Sequence, residues 1–346
     1  MEDIEELLLE PHSLLHWYDL NKRSLPWREE SCSPYGVWVS EIMCQQTRVD
    51  TVVGYYKKWM TAFPTVKELA LASADQVNSL WAGLGYYRRA RNLHAGAQKV
   101  YHELGGEMPS TVADLLSIPG IGPYTAGAIA SIAFKRQAAV VDGNVIRVFA
   151  RLGAVEEQPS KLLKACWKVA EKIVPQSRSG DFNQSLMELG ATVCTPANPK
   201  CDQCPISSIC RGKENPSKYP LKNTKKTPPI EYFSVYVISR NDKYALTQRP
   251  LKGLLAGQWE FPSFAPDVAF LQDIQHKKEV GQFVHKFSHR HHHLKVFSCQ
   301  VPNDFKFEND AFVWMTQAEI HEKGLTKAMV ESLKLATETK KRKKRT

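Results

Sequence analysis

Four closely spaced cysteines restrict the possible structure of this chain more than any other feature of its sequence. Cys194, Cys201, Cys204 and Cys210 follow the pattern C-x6-C-x2-C-x5-C, whereas the other four cysteines are scattered singly. Thiolates are soft ligands, so zinc and an iron–sulfur cluster are the metal centres that such a group fits. A single C-x2-C pair flanked by wide, unequal gaps favours a [4Fe–4S] cluster over zinc, and disulfides are the third alternative.

Charge and hydropathy limit the class of protein. The first ten residues are acidic and lack a signal-peptide pattern, and no apolar run approaches membrane length, so we expect an intracellular protein with no membrane contact. The formal net charge of +10 favours a polyanionic partner, but six of the basic residues lie in Lys340–Arg345. Such a tail is typical of a solvated end, a nuclear-import signal or a non-specific DNA arm.

Changes in composition predict two domains. Apolar residues recur at three and four positions in Tyr86–Leu104 and in Val145–Leu152, which indicates helices, whereas three later segments resemble short strands. Ala328–Leu335 is predicted to be a closing helix. We therefore expect an all-α domain at 1–212 with its cysteine loop at 194–210, a polar, proline-rich linker at 213–230, a smaller α+β domain at 231–337 and a basic tail at 338–346.

Two glycines in Pro119-Gly120-Ile-Gly122 predict a tight turn between helices. The N–H groups at the start of the following helix can hold a phosphate without a charged side chain. The same pattern also fits a helical hairpin with no ligand.

Two carboxylates are candidate catalytic groups. Glu41 lies within an apolar stretch, where burial would raise its pKa and suit it to act as a general acid, but an exposed glutamate paired with Arg48 is an equal alternative. Asp142 immediately precedes a predicted amphipathic helix, and taken alone it is best interpreted as an N-cap.

Five further motifs accompany the cysteines in a fixed order. They are Glu41-Ile-Met-Cys-Gln-Gln-Thr, Gly83-Leu-Gly-Tyr-Tyr-Arg-Arg-Ala-Arg, Pro119-Gly-Ile-Gly-Pro-Tyr-Thr-Ala-Gly, Val141-Asp-Gly-Asn-Val-x-Arg and Phe182-Asn-Gln-Ser-Leu-Met-Glu-Leu-Gly. In combination, these motifs resemble a known family, the adenine DNA glycosylases of the MutY type, over about Leu25 to Arg211 and again in the C-terminal domain. The resemblance implies a helix-hairpin-helix fold with a [4Fe–4S] cluster and a C-terminal domain similar to Nudix hydrolases.

The resemblance implies removal of adenine mispaired with 8-oxoguanine or guanine in double-stranded DNA. Glu41 would protonate the adenine and Asp142 would stabilise the oxocarbenium-like sugar, with Tyr124 and Asn144 beside them. Arg28 and Glu188 would line the adenine pocket.

For DNA binding, the resemblance implies that Gln46 and Tyr86 fill the gap left by the flipped adenine. Gly120 and Gly122 would bind phosphate. The C-terminal Phe287-Ser288-His289 segment would contact 8-oxoguanine. The neighbouring histidines favour a strand over a metal site.

Three other functions are alternatives to adenine excision. The related endonuclease III type cleaves the strand with a lysine after the hairpin glycines, but this chain has Tyr124 there, and a phenol forms no Schiff base. A damage-binding protein without catalysis would not need Glu41 and Asp142. Nucleotide hydrolysis needs an Arg-Glu-x-x-Glu-Glu helix, which Gly253–Gly281 lacks.

The remaining expectations concern partners and location. We expect a monomer that acts in the nucleus, with mitochondria as a further location. A clamp protein is a candidate partner through the linker, although no clamp motif is evident there.

Overall fold

A computed structural model describes residues 12–221, 227–266, 277–307 and 311–343. Their contacts divide the chain into two compact units. The helical unit contains the chain up to Leu71 together with the chain from Asn92 to residue 221. The C-terminal unit contains Ala72–Arg91 together with the chain from residue 227 onward. None of the described helices is both long and apolar enough to span a membrane.

Residues 12–221 form short and medium helices joined by tight turns, as the sequence predicted. In order they are α1 (His12–Asn21), α2 (Pro34–Cys44), α3 (Val49–Ala62), α4 (Val66–Leu71), α5 (Ala74–Trp81), α6 (Arg88–Glu103), α7 (Val112–Leu115), α8 (Pro123–Ala128), α9 (Gly143–Leu152), α10 (Pro159–Ile173) and α11 (Ser179–Thr192). A turn of π-helix, Ile129–Ala133, continues α8.

Helix α9 shows why this unit packs as it does. Val145, Val148, Phe149 and Leu152 lie on one face, and each is at most 2% exposed. Burial of each such side chain contributes roughly 1.5–3 kcal/mol, so this face fixes α9 in the core. The helix predicted from the spacing of these residues is confirmed.

The hairpin before α8 requires glycine at its first glycine position. Gly120 has a φ of +83°, and a Cβ atom there would lie 2.7 Å from the Cβ of Asn92. Any other residue would therefore combine backbone strain with a clash. Gly122 is the N-cap of α8.

The C-terminal unit contains a mixed sheet, so the predicted α+β class is confirmed. The central strand β1 runs parallel to β6, and β5 pairs antiparallel with β6 on its other side. The described strands and helices are β1 (Ile230–Arg240), β2 (Lys243–Gln248), β3 (Trp259–Glu260), β4 (Ser263–Phe264), β5 (Lys277–Lys286), β6 (His291–Gln300), β7 (Val313–Thr316), α12 (Gln317–Lys323) and α13 (Lys327–Lys343).

The sequence-based boundaries assigned segment 72–91 to the first domain, whereas the contacts of the folded chain group it with the C-terminal unit. Helix α5 packs with the C-terminal unit, where the carboxylate of Asp75 accepts a 3.1 Å hydrogen bond from the indole of Trp259 and pairs with Lys323 at 2.5 Å. The guanidinium of Arg91 donates to the carbonyl oxygen of Ala256 at 2.7 Å. These contacts join residues far apart in the sequence, so composition does not reveal them.

The first part of the predicted linker at 213–230 is not a separate linker, because it packs against the helical unit. Arg151 is 3% exposed, and its Nε donates to the carbonyl oxygens of Pro216 and Tyr219 at 2.9 and 3.2 Å. A buried guanidinium needs several acceptors, and this polar segment supplies them. Residues 222–226 of the predicted linker lie outside the described residues.

Candidate active site

A cavity of about 400 Å³ in the helical unit contains all six residues predicted for catalysis and adenine binding. They come from separate elements: the short 3₁₀ helix Pro26–Arg28, α2, α8, the N-terminus of α9, and α11. The predicted residues that line it are Arg28, Glu41, Tyr124, Asp142, Asn144 and Glu188.

Glu41 is buried in the cavity wall. Val39, Ile42 and Met43 on the same helix are buried and apolar, and Glu41 itself is 9% exposed, so the alternative of an exposed glutamate paired with Arg48 is wrong. Burial raises the pKa of Glu41 to about 7, although a 2.5 Å hydrogen bond donated by the phenol of Tyr124 opposes the rise. The negative charge of Asp142 raises this pKa further. Glu41 therefore has the protonation behaviour that a general acid needs near neutral pH.

Asp142 caps a helix and lines the cavity at the same time. Its Oδ1 accepts hydrogen bonds from the backbone N–H groups of Asn144 and Val145, both at 2.8 Å. Its Oδ2 accepts from the side-chain amide of Asn144, also at 2.8 Å. Burial raises the pKa of Asp142, and these hydrogen bonds oppose the rise. Asp142 and Glu41 thus share one cavity but have different hydrogen-bond donors.

Glu188 forms a network with two arginines on another wall. Its Oε1 accepts from Nε of Arg23 at 2.6 Å, and its Oε2 accepts from Arg28 at 2.9 Å. Arg28 also donates to the side-chain oxygen of Gln184 at 3.1 Å. Although burial of Glu188 favours its neutral form, the two arginines hold its pKa below the usual value. Glu188 is therefore an ionised hydrogen-bond acceptor within the cavity wall.

Sequence reasoning missed Arg23 and Gln184. Arg23 precedes the Leu25-Pro-Trp-Arg28 segment, and Gln184 lies one helical turn before Glu188. A weak signal was present, because a glutamate inside an apolar helix needs cations nearby. Nothing in the spacing identified which arginines would supply them.

The four clustered cysteines lie together in the folded chain, at the end of α9 farthest from Asp142. Their side chains line one small cavity of about 30 Å³. The guanidinium of Arg151 on α9 donates to Sγ of Cys194 at 3.4 Å. Among the described residues, no group of three or more His, Cys, Asp or Glu side chains is already arranged as a metal site. Four thiols around one cavity, with a cationic donor to sulfur, fit a thiolate-bound cofactor.

The two residues predicted to fill the gap in DNA lie outside the cavity. Gln46 and Tyr86 are both exposed, and both have positive φ, at 55° and 49°. Such a conformation is uncommon for residues other than glycine and is concentrated at functional sites. Gln46 belongs to the helical unit and Tyr86 to the C-terminal unit, where the guanidinium of Arg89 lies 5.5 Å from the Tyr86 ring centroid.

The Phe287-Ser288-His289 segment forms the tight turn between β5 and β6. The N–H of Phe287 donates to the carbonyl oxygen of Arg290 at 2.9 Å, which closes the turn. The Phe287 ring packs against His285 at 4.6 Å between centroids, whereas Ser288 and His289 are exposed. The turn therefore has an anchored aromatic ring and two exposed polar side chains.

Two family models match the chain. Residues 39–172 match the HhH-GPD superfamily base excision DNA repair proteins, and residues 234–335 match the NUDIX domain. The first range includes Glu41, Tyr124 and Asp142, and the second includes the Phe287-Ser288-His289 turn.

Curated relatives and a solved structure agree with these matches. A human adenine DNA glycosylase is 39% identical over 94% of this chain and 74% of its own length. An adenine DNA glycosylase from Schizosaccharomyces pombe is 35% identical over 96% of this chain and 90% of its own length. The structure of a thermostable thymine-DNA glycosylase is 28% identical, with a TM-score of 0.55 over 62% of this chain and 98% of that chain. On these similarities, the chain belongs to the adenine DNA glycosylases of the MutY type, within the helix-hairpin-helix base excision repair enzymes.

Proposed function

We propose that this chain is a monofunctional glycosylase that excises adenine paired with 8-oxoguanine or guanine in duplex DNA and so initiates base excision repair. One observation carries the proposal. Glu41 and Asp142 line the same cavity, and the pKa of Glu41 is raised to about 7 by burial. Two carboxyl groups in one site, one of which has a raised pKa, are the arrangement used to cleave glycosidic bonds.

Glu41 acts as the proton donor. Cleavage of the C–N bond leaves the electron pair on adenine, and adenine leaves poorly unless a ring nitrogen is first protonated. Burial keeps a fraction of Glu41 protonated near neutral pH, so the proton is available. The phenol of Tyr124 then stabilises the Glu41 carboxylate that remains.

Asp142 acts on the sugar. As the bond breaks, positive charge develops on the sugar, and an ionised carboxylate nearby stabilises it. The backbone donors on Oδ1 and the Asn144 amide on Oδ2 favour the ionised form and fix its orientation. Water then adds to the cationic sugar and loses a proton to the Glu41 carboxylate, which restores the acid.

Glu188 and Arg28 bind the adenine. Adenine offers an amine donor beside ring-nitrogen acceptors. Ionised Glu188 accepts from the amine and the Arg28 guanidinium donates to a ring nitrogen, while Arg23 holds Glu188 in place at 2.6 Å. This wall is therefore suited to a base that carries both groups on one edge.

The adenine enters the cavity after it has been flipped out of the duplex, which costs a few kcal/mol. Gln46 and Tyr86 occupy the gap. Both side chains are exposed, so packing in a core does not account for them, and their positive φ is a conformation concentrated at functional sites. These two features support the role. The hairpin containing Gly120 and Gly122 binds a phosphate, and basic side chains supply the salt-dependent part of the affinity.

The Phe287-Ser288-His289 turn reads the partner base. Adenine is a normal base, so specificity requires a contact with the opposite strand. The exposed Ser288 hydroxyl and His289 ring offer hydrogen bonds to the groups that distinguish 8-oxoguanine from guanine. The ring of Phe287 anchors the turn against His285.

Cys194, Cys201, Cys204 and Cys210 would hold a [4Fe–4S] cluster. Such a cluster would hold the cysteine loop in shape without entering the excision chemistry. Purified chain should contain about four irons and absorb broadly in the visible range, and Cys204→Ser should lower the iron content. A colourless protein with one zinc per chain would support the alternative metal.

The proposals on cellular location and on a protein partner rest on the sequence alone. We place the chain in the nucleus, with mitochondria as a further location, because of the basic run Lys340–Arg345. Its side chains lie outside the described residues. A clamp protein bound through residues 213–230 is a candidate partner of the monomer, although no clamp motif is evident there.

The runner-up function is that of an endonuclease III-type lyase. Two endonuclease III–DNA complexes share the fold, with TM-scores of 0.51 at 21% identity. Tyr124 supports the monofunctional assignment, because its phenol cannot form the covalent Schiff base that β-elimination requires.

The test uses purified chain and duplexes with adenine opposite 8-oxoguanine, guanine or thymine, each with and without later alkali. We expect strand breaks only after alkali and fastest for 8-oxoguanine. Breaks without alkali, together with covalent trapping by borohydride, would support the lyase instead.

A further inference from the structure

Met187 lines the candidate active site and has no role in the reaction as described so far. It lies on α11, and its partly buried side chain packs against the core of the helical unit. It also lines the cavity that contains Glu41 and Asp142. Its sulfur lies 3.5 Å from the phenol oxygen of Tyr124, close enough for a weak hydrogen bond to a thioether.

The phenol of Tyr124 has two acceptors but only one hydrogen. Its oxygen lies 2.5 Å from Oε2 of Glu41 and 3.5 Å from Sδ of Met187. Among the described residues, these are the two side-chain atoms to which the phenol donates. A hydroxyl donates one hydrogen but also accepts hydrogen bonds. The phenol hydrogen therefore points mainly to one of the two acceptors at any moment.

The protonation state of Glu41 decides which acceptor is used. An ionised carboxylate only accepts, so the phenol of Tyr124 donates to it. A protonated carboxyl has a hydrogen of its own, and when that hydrogen is on Oε2 the phenol oxygen accepts it. The hydrogen of the phenol then needs another acceptor, because a buried donor without one is unfavourable. The sulfur of Met187 is in position to accept it.

We propose that Met187 is a positioning residue that acts through Tyr124: its sulfur accepts the phenol hydrogen while Glu41 is protonated and donates to the phenol oxygen. When the carboxyl proton passes to a ring nitrogen of adenine, the phenol hydrogen turns from the sulfur back to the carboxylate. The phenol keeps its hydrogen throughout, so only one proton is transferred. This inference rests on the proposed acid role of Glu41.

A thioether suits this role because it has neither a charge nor a donor. It accepts weakly, so it does not hold the phenol away from the carboxylate once Glu41 is ionised. The other influences on Glu41 are charges: Asp142 raises its pKa and Arg28 lowers it. The remaining charged or titratable groups of the cavity lining are Arg23, Cys44, Arg48, Asp50, Tyr124 and Glu188. Replacing Met187 with leucine leaves all of these charges in place.

The sulfur supports only the protonated form of Glu41, so its removal should lower the pKa of Glu41. Met187→Leu conserves the side-chain volume and removes the acceptor. We expect the pKa to fall by about 0.5, which is the effect of one weak hydrogen bond. The excision rate at pH 8 should then fall about threefold, and this loss should diminish toward pH 5.5. Met60→Leu makes the same change on α3 away from the cavity and should leave the profile unchanged.

The pKa of Glu41 can also be measured without DNA. Full-length chain with carbon-13 at the glutamate side-chain carboxyls is titrated by NMR, and the Glu41 signal is identified by its absence from Glu41→Gln. We expect the same downward shift in Met187→Leu. A shifted carboxyl pKa with an unchanged pH–rate profile would overturn the acid role of Glu41 rather than the contact between Met187 and Tyr124.

A double-mutant comparison shows whether the sulfur acts through the phenol. Tyr124→Phe removes the hydroxyl and leaves the ring. In this background, Met187→Leu should cause no further change in the pKa of Glu41, because the two residues act as one unit. An effect of packing alone would persist in the phenylalanine background.

Three results would overturn the proposal. The pKa of Glu41 could stay the same or rise in Met187→Leu, or the same fall could occur in the Tyr124→Phe background. The excision rate could also fall equally at every pH, which would assign Met187 to packing alone. If the leucine variant does not fold, Met187→Ile provides a second side chain without sulfur for the same measurements.

Discussion

The phenol of Tyr124 donates a 2.5 Å hydrogen bond to Oε2 of Glu41, although the two residues lie 83 positions apart in the chain. Burial and the charge of Glu41 raise the pKa of Tyr124 well above its usual value, so the phenol remains a donor at every physiological pH. A permanent donor opposes the effect of burial on Glu41. It is one reason why the pKa of Glu41 reaches only about 7.

The raised pKa of Glu41 predicts a pH-dependent excision rate. If protonated Glu41 is the acid, the single-turnover rate should fall as pH rises through about 7. Glu41→Gln should lower the rate by about 10²–10⁴-fold while duplex affinity changes only a few-fold. Glu30→Gln, at an exposed position, is the control. Near-normal turnover in Glu41→Gln would exclude the acid role.

The same group affects stability. Its pKa is higher in the folded chain than its ordinary value of 4.5, so its stabilising contribution is complete below about pH 4.5 and is lost as pH rises through about 7. Unfolding measurements should therefore show Glu41→Gln gaining stability relative to the unaltered chain at alkaline pH, by up to about 3 kcal/mol. If the stability difference between Glu41→Gln and the unaltered chain were the same at pH 4 and pH 8, Glu41 would not be a buried ionisable group.

Asp142 has two roles that two substitutions separate. Asn is as good an N-cap as Asp, so Asp142→Asn should unfold at nearly the same temperature as the unaltered chain but lose about 10²–10³-fold or more in excision rate. Asp142→Ala should lose the cap as well, at a further cost of about 1 kcal/mol. Calorimetry and single-turnover assays measure the two effects. Normal excision by the Asn variant would leave only the N-cap role.

Arg23 is predicted to keep Glu188 ionised. Arg23→Met removes the 2.6 Å contact with Oε1, so the pKa of Glu188 should rise. Glu188 is ionised, and so able to bind adenine, only at pH values above its own pKa. A higher pKa of Glu188 should therefore move the acidic limb of the pH–rate profile to higher pH in this variant. Lys22→Met makes the same charge change at an exposed neighbouring position and should leave the profile unchanged.

The Phe287-Ser288-His289 turn should control preference for the partner base. Ser288→Ala combined with His289→Ala should remove about 1–3 kcal/mol of discrimination between 8-oxoguanine and guanine, roughly ten- to hundred-fold. The excision rate at saturating protein should change much less, because Glu41 and Asp142 are untouched. An unchanged preference would assign recognition to other residues, with Gln46 and Tyr86 tested next.

Asp75 is predicted to hold the segment that carries Tyr86. Asp75→Ala breaks the contacts with Trp259 and Lys323, so hydrogen exchange should increase within residues 72–91. Glu103→Ala, at an exposed position on α6, is the control. If exchange in this segment did not change, other contacts would hold it in place.

Local patterns in the sequence were sufficient for much of this structure. The periodicity of Val145, Val148, Phe149 and Leu152 predicted α9, and the residues of β1, β2 and β6 were recognisable as strands. Ordered motifs led to the family and to six residues of the cavity. Such features depend on neighbours in the chain, and these are visible in the sequence.

Other features required the tertiary structure. Arg23 contacts Glu188 across 165 positions, and Trp259 contacts Asp75 across 184. Whether Glu41 is a buried acid or an exposed partner of Arg48 likewise depended on which helices pack over it. By itself, the sequence determined the elements and the residue types available for chemistry. Only the tertiary structure decided which distant side chains meet and how far burial shifts their pKa values, because both depend on packing between segments remote in the chain.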